Sequence, residues 1–118
     1  MAETEGIAPL EDSEEILALG GNIELSGFQK LDRDSKIVLK KIVGNYARKF
    51  SETSRSFQRL SLKMKPVHES EKSRRFELHA MVVDNGKNYV SEFVDNNLFF
   101  AVDKVFKKIE AEMERQSY

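Results

Sequence analysis

Apolar and polar residues alternate with a period of two in several segments of the chain. Leu60, Leu62 and Met64, for example, alternate with hydroxyl and basic residues, which predicts a strand with one buried face. The predicted strands cover residues 23–26, 59–65, 75–82 and 89–94. The Asn85-Gly86 pair predicts a hairpin between the last two strands, because both residues tolerate a positive φ. Pro66 is expected to stop the second strand or to place it at an edge.

Two longer segments have apolar residues at the spacing of an α-helix. Either Asp32 or Asp34 can cap the first helix, and the hydroxyl-rich segment 51–56 is expected to end it near Phe50. A cap within residues 95–97 begins the second helix. The two apolar faces comprise Val38, Leu39, Ile42, Val43, Tyr46 and Phe50 in the first helix, and Leu98, Val102, Val105, Phe106, Ile109 and Met113 in the second.

The predicted order of elements is β-α-β-β-β-α. Because each helix has one apolar face, both are expected to pack on a single face of a four-stranded sheet, which is an α+β fold. Gly20 and Gly21 separate residues 1–21, an acidic flexible leader, from residues 22–118, a single α+β domain. A chain of 118 residues has room for one such domain with a substantial core.

The formal net charge of −1 conceals a segregation of acids and bases along the chain. Residues 1–22 contain six acids and no base, whereas residues 30–75 contain 14 bases and 5 acids, a net charge of +9. A basic surface attracts polyanions, of which nucleic acid is the most common. The alternative is that these bases only keep a small domain soluble.

The predicted elements place the bases in three groups outside the core: on the first helix, on the second strand with the start of the third, and on the second helix. If the helices pack side by side, the first and third groups line one ridge that can neutralise phosphates. Alternatively, Lys104 and Lys108 pair locally with Asp103 or Glu112. The predicted RNA-binding residues are Arg33, Lys36, Lys40, Lys41, Arg48, Arg59, Lys63, Lys65, Arg74, Arg75, Lys104, Lys108 and Arg115.

In addition to the order of elements, two short sequence motifs resemble those of a known protein family. Residues 22–27, Asn-Ile-Glu-Leu-Ser-Gly, form a strand that ends in a glycine. Residues 98–104, Leu-Phe-Phe-Ala-Val-Asp-Lys, are followed by Ile109-Glu110. The first motif resembles the opening strand of the short ribosome-associated inhibitor and hibernation-promoting factor family. The second is similar to that family's closing signature of an aromatic residue, an Ala-Ile-Asp-like triplet and a Leu-Glu-Arg-like continuation. The likeness covers residues 22–115.

The resemblance implies a protein that binds the small ribosomal subunit, in the channel used by messenger and transfer RNA. It further implies that binding blocks translation when growth stops, a stress response known as ribosome hibernation. The acidic leader departs from the family's usual pattern, and the second helix carries as many acids as bases. The chain ends at Tyr118 without the additional domain of long members, which implies that it occupies one ribosome rather than joining two.

Few residues in this sequence can carry enzyme chemistry. The absence of cysteine excludes a thiolate metal site and a cysteine nucleophile. His68 and His79 are eleven residues apart without a third ligand at a useful spacing, so no metal site is expected. The serines at positions 51, 54 and 56 lack a nearby histidine that could act as a base. We therefore expect neither an enzyme nor a cofactor or small-molecule substrate.

Apolar runs are too short to span a bilayer, and residues 1–15 lack the basic start of a secretory signal, so a cytoplasmic monomer is expected. Two alternatives to ribosome binding remain open. One is a general double-stranded RNA-binding module, and the other is a protein-interaction adaptor that uses a sheet edge or the Ile16–Leu19 segment. The leader is expected to be a solubilising tail, or else to fold back on the basic face and screen it.

Overall fold

The computed structural model describes residues 22–67 and 75–116, and it has the predicted β-α-β-β-β-α order. The elements are β1 (Asn22–Ser26), α1 (Arg33–Thr53), β2 (Phe57–Val67), β3 (Arg75–Asp84), β4 (Lys87–Asp95) and α2 (Leu98–Gln116). The leader, His68 and Arg74 lie outside the described residues. Within the described ranges, neither helix is long and apolar enough to cross a membrane.

The strands form one mixed sheet in the order β1-β2-β3-β4. β1 pairs in parallel with β2, with Ile23 opposite Leu60, because α1 carries the chain back to the same end of the sheet. β3 is antiparallel to both β2 and β4. The apolar faces of both helices pack on one face of the sheet, which leaves the other face open. The predicted α+β fold is therefore confirmed.

Helix α1 begins at one of the two predicted caps. Asp32 is the N-cap, and its Oδ2 accepts a hydrogen bond from the backbone N–H of Ser35 at 3.1 Å. Hydrogen bonds from the side chain and backbone of Ser35 lower the pKa of Asp32, because they stabilise the ionised carboxyl. The cap sets the residue at which α1 begins, shortly before the bases on its exposed face.

The expectation that α1 ends near Phe50 is wrong, because the helix continues to Thr53. The hydroxyls of Ser51 and Thr53 donate to the backbone carbonyls of Arg48 and Lys49, each at 2.9 Å. These hydroxyls donate within the helical backbone conformation, and the backbone N–H of Ser54 still donates to the carbonyl of Phe50 at 3.1 Å. The hydroxyl-rich segment therefore extends the helix by most of a turn.

Aromatic rings join the two helices above the sheet. The ring centroid of Phe106 lies 5.2 Å from that of Tyr46 and 6.5 Å from that of Phe50. Phe106 is fully buried, and burial of such a ring contributes about 1.5–3 kcal/mol. Val38, which the sequence assigned to the core, is instead 40% exposed because it lies at the edge of the apolar stripe. The cluster holds α1 in a fixed position against α2.

The β3–β4 hairpin has the predicted turn, with Asn85 and Gly86 at φ values of 55° and 78°. Pro66 does not stop β2, since it is paired with Phe76 in the β2–β3 ladder. The β1–β2 register ends at Lys63, so Pro66 lies where β2 is paired on the β3 side alone within the described chain. The edge interpretation of this proline is therefore correct, because only one side of β2 is paired at this position within the described chain.

Gly27 ends β1 where the chain turns away from β2. Its φ is 88°, a left-handed conformation that side chains rarely adopt. A Cβ at this position would collide with the carbonyl oxygen of Met64 and would lie 3.1 Å from its carbonyl carbon. Two independent constraints, backbone conformation and close approach, therefore require glycine here.

Asn97 caps helix α2, and its Oδ1 accepts a hydrogen bond from the backbone N–H of Phe100 at 3.0 Å. The backbone N–H of Asn97 in turn donates to Asp95 Oδ2 at 2.8 Å. This pair of hydrogen bonds connects the end of β4 directly to the first turn of α2. As a result, the first turn of α2 presents Phe100 beside β4.

Candidate nucleic-acid interface

The first basic group lies on α1, where Arg33, Lys36, Lys40, Lys41 and Arg48 form what we call the helix surface. Arg33, Lys41 and Arg48 are exposed, whereas Lys36 and Lys40 are half-buried. Within residues 22–67 and 75–116, no carboxylate lies within 4.0 Å of the charged groups of Lys36, Lys41 or Arg48. Their positive charge is therefore available to an external anion.

An apolar side chain interrupts the helix surface. Ile37 is 51% exposed and lies one helical turn from both Arg33 and Lys41. The basic face of α1 is thus not purely polar. An exposed apolar group among bases can contact a sugar or a base while its neighbours contact phosphates.

The two helices meet along a seam that carries carboxylates. The hydroxyl of Tyr46 donates to Asp103 Oδ1 at 2.6 Å, and Lys49 Nζ lies 2.8 Å from Glu110 Oε2. Burial and the neighbouring carboxylate of Asp103 raise the pKa of Tyr46, and the hydrogen bond to Glu110 raises the pKa of Lys49. Asp103 also lies 3.4 Å from Lys107. The charges of this seam are largely neutralised within it.

The third basic group lies on the opposite flank of α2, beside β4. Lys108 Nζ donates to the backbone carbonyl of Glu92 at 3.0 Å and lies 5.8 Å from the ring centroid of Phe93. Lys104 Nζ lies 5.5 Å from the ring centroid of Phe100. The prediction that the first and third groups form one ridge is therefore wrong, because the helix–helix seam separates them.

The acids expected to pair with Lys104 and Lys108 have other partners. Asp103 pairs with Lys107, and Glu112 pairs with Arg115. The hydrogen bond from Arg115 lowers the pKa of Glu112. Arg115 is therefore already paired on the protein, whereas Lys104 and Lys108 lie over the rings of Phe100 and Phe93.

The second basic group lies on the open face of the sheet. Arg59, Lys63 and Lys65 are exposed on β2 and form what we call the sheet surface. Arg75 is exposed at the start of β3, opposite Val67. The remaining member of this predicted group, Arg74, is outside the described residues.

The helix surface and the sheet surface lie on opposite faces of the sheet. Leu60 and Leu62 are buried beneath the helices, and Arg59 and Lys63 alternate with them along β2, which points them to the other face. Bases therefore flank the β1–β2 half of the domain on both sides. The bases therefore do not form a single flat patch.

Three potential metal ligands lie together on the open face, which corrects the expectation that His79 has no further ligands nearby. Glu77 lies two residues before His79 on β3, and Glu92 of β4 is directly opposite His79. Their ligand atoms all lie within 4.8 Å of one another, and His79 Nε2 is hydrogen-bonded to Glu77 Oε2. The register of the hairpin about Asn85-Gly86 could have revealed this group from the sequence. Lys63 is opposite His79 on β2, so positive charge adjoins the two carboxylates.

The described residues define an α+β domain with bases on both faces of its sheet. Comparison with known proteins finds no matching family model and no matching curated sequence. Among solved structures, the chain is similar to a ribosomal subunit interface protein from Coxiella burnetii. The TM-score is 0.57 and the sequence identity 10%, over 80% of this chain and 96% of that chain. At this identity, the similarity shows a shared fold.

Proposed function

We propose that this protein binds ribosomal RNA on the small ribosomal subunit and inhibits translation by occupying that site. The observation that carries the proposal is the helix surface, where the charges of Lys36, Lys41 and Arg48 have no carboxylate partner among the described residues. Unpaired cations of this kind release counterions from nucleic acid when they contact phosphates, which drives binding. Inhibition then needs no catalytic group, because occupancy alone excludes other ligands.

Two further observations support a ribosomal partner over other polyanions. The chain has the fold of a ribosomal subunit interface protein, although that similarity concerns the fold. The motifs at residues 22–27 and 98–104, which carry the resemblance to the hibernation-promoting factor family, lie at β1 and in the first turns of α2. Both lines of support lead to the same class of partner.

The placement of bases on both faces favours a partner that surrounds the domain. A binding site between two masses of RNA can contact the helix surface and the sheet surface at the same time. A straight RNA duplex contacts one face of a small domain, mainly through phosphates and 2′-hydroxyl groups. We therefore propose that the protein sits within a cleft of the subunit, and that Lys104 and Lys108 extend the contact at the β4 edge.

The test is a comparison of affinities for purified small subunits and for a bare RNA duplex of about 20 base pairs, which exceeds the span of a typical duplex-binding domain. We expect binding to the subunit to be at least about tenfold tighter at the same salt concentration, because the subunit engages both surfaces.

A matched variant makes this comparison sharper. In Lys63→Glu/Lys65→Glu, affinity for the subunit should fall, whereas affinity for the duplex should change less if the duplex uses the helix surface. Equal affinities of the unmodified protein for both RNAs would instead support a general duplex-binding module. Absence of binding to either RNA would support a protein-interaction adaptor.

A further inference from the structure

Two glutamates and a histidine come together on the open face of the sheet, away from both helices. Glu77 and His79 are two residues apart on β3, so their side chains point to the same face. Glu92 of β4 is paired directly with His79, and side chains paired in this way have Cβ atoms about 4.5–5.5 Å apart. The register of β3 and β4 therefore brings one imidazole and two carboxylates to one place.

The ligand atoms of these three side chains face one another. One oxygen of each glutamate and a ring nitrogen of His79 all lie within 4.8 Å of one another. His79 Nε2 and Glu77 Oε2 are hydrogen-bonded, so both atoms are already directed at the same hydrogen. Ligand atoms around a tetrahedral zinc ion lie about 3.4 Å apart, because each bond is about 2.0–2.2 Å long. The glutamate side chains need only small rotations to reach that spacing.

The carboxylate of Glu92 is not engaged by another part of the described structure. Within residues 22–67 and 75–116, it accepts no hydrogen bond and forms no ion pair. Lys108 contacts the backbone carbonyl of Glu92 instead. The side chains of Glu77 and His79 are 26% and 33% exposed, so an ion can approach them from solvent. All three side chains are therefore accessible as ligands.

Two lysines on the neighbouring strand restrict which cations can bind here. Lys63 is opposite His79 and Lys65 is opposite Glu77, both on β2. In the described part of the chain, neither lysine amine lies within 4.0 Å of a carboxylate oxygen of Glu77 or Glu92, so the lysines do not occupy the carboxylates. Their charge still repels an ion that is attracted by the carboxylates alone. Coordination by the imidazole is therefore the interaction that decides which ion binds.

The combination of nitrogen and oxygen ligands selects a class of metal ion. Mg²⁺ and Ca²⁺ prefer oxygen ligands, whereas imidazole nitrogen is a good ligand for zinc and the neighbouring transition metals. Zinc also accepts three protein ligands from histidine and glutamate and then keeps a water molecule in the fourth position. Three accessible ligands of these two types therefore match zinc better than they match magnesium or calcium.

We propose that Glu77, His79 and Glu92 bind a zinc ion, with water as the fourth ligand. The ion replaces the hydrogen between His79 Nε2 and Glu77 Oε2, and the displaced proton passes to solvent. Glu92 supplies the ligand from the second strand, so the ion joins β3 and β4 on the open face. The site does not depend on the proposed ribosomal function, since none of its ligands is among the residues proposed to bind RNA.

The test is isothermal titration calorimetry of the full chain, free of any histidine tag, with zinc chloride and with magnesium chloride. For zinc we expect saturable binding with a Kd on the order of 1–100 μM, weaker than structural sites with four protein ligands because only three contribute here. Magnesium should bind at least about 100-fold more weakly, because it gains little from an imidazole ligand.

Matched variants locate the site. His79→Gln and Glu92→Gln each remove one ligand and should each raise the Kd for zinc at least about tenfold. Glu24→Gln removes the same charge from the exposed face of β1, and His68→Gln removes the other histidine of the chain, so neither should change the Kd. Equal Kd values for His79→Gln and the unmodified chain, an equal loss of affinity in either control, equal binding of the two metals, or no saturable zinc binding would each overturn the proposal.

A measurement on the unmodified chain keeps the proposal testable if His79→Gln does not fold. The NMR signals of the two histidine rings report directly on metal coordination, and the spectrum of His68→Gln assigns each signal to its residue. Zinc should shift the ring signals of His79 and leave those of His68 in place. A shift confined to His68, or no shift of either ring, would contradict the site.

Discussion

Reversing two charges on the helix surface, Lys36→Glu with Lys41→Glu, should weaken binding to small ribosomal subunits roughly 10- to 100-fold. Each change removes one phosphate contact and introduces repulsion, so the slope of log K against log salt should also fall by about 2. Lys41 is exposed and Lys36 only half-buried, and neither has a carboxylate partner among the described residues. The fold should therefore survive. Fluorescence anisotropy with labelled protein and purified subunits measures both quantities.

The matched control for this variant is Arg55→Glu with Lys87→Glu. Both residues are exposed, carry the same total charge and lie outside the surfaces proposed to bind RNA. If net charge alone governed binding, the control would lose as much affinity as the helix-surface variant. The same loss in both variants, or no loss in the helix-surface variant, would show that α1 does not form the interface.

Replacing Gly27 with alanine should destabilise the domain by about 2–5 kcal/mol. The left-handed conformation at φ 88° costs an alanine about 1–2 kcal/mol, and the new Cβ must displace the backbone of β2 at Met64, which costs about 1–3 kcal/mol. Urea unfolding followed by circular dichroism measures the change in the free energy of unfolding. Because the substitution removes no side chain, the loss of stability reflects only the backbone conformation of residue 27 and the collision of the new Cβ with β2.

Gly86→Ala provides the matched control, because Gly86 also has a positive φ, of 78°, but no atom within 4 Å of the added Cβ. It should therefore cost only the conformational term, about 1–2 kcal/mol. Equal destabilisation by the two substitutions would mean that the close approach of β1 to β2 at Met64 contributes nothing. The close approach to Met64 would then not be a reason for glycine at the end of β1.

The fold could be predicted because its signals are local. Alternation along β2, the Asn85-Gly86 turn and the single apolar face of each helix together gave the element order and the layer arrangement. The end of α1 was misjudged because hydroxyl propensity describes isolated helices, whereas Ser51 and Thr53 bond to carbonyls of the preceding turn. Val38 was assigned to the core because helical spacing does not reveal the width of the buried stripe.

The positions of the basic surfaces relative to one another were harder to predict, because they depend on how the helices pack against each other and against the sheet. The sequence placed each base on its own element, but it could not show that Asp103 and Glu110 would lie in the seam between the helices. That seam separates the bases of α1 from the bases of α2, which helical periodicity alone had placed on one ridge. The group of potential metal ligands formed by Glu77, His79 and Glu92 was missed for a different reason. Glu92 is thirteen residues from His79 in the sequence and lies beside it only through the register of β3 and β4.

We propose that Lys36, Lys41 and Arg48, which have no carboxylate partner among the described residues, bind the small ribosomal subunit electrostatically. Sedimentation of the protein with dissociated ribosomal subunits through sucrose gradients at about 50 and 200 mM salt tests it most directly, because affinity based on several phosphate contacts falls by orders of magnitude over this range. We expect the protein to travel with the small subunit at the lower salt concentration and to remain largely unbound at the higher one. Protein that stays at the top of both gradients, or that sediments equally at both salt concentrations, would contradict the claim.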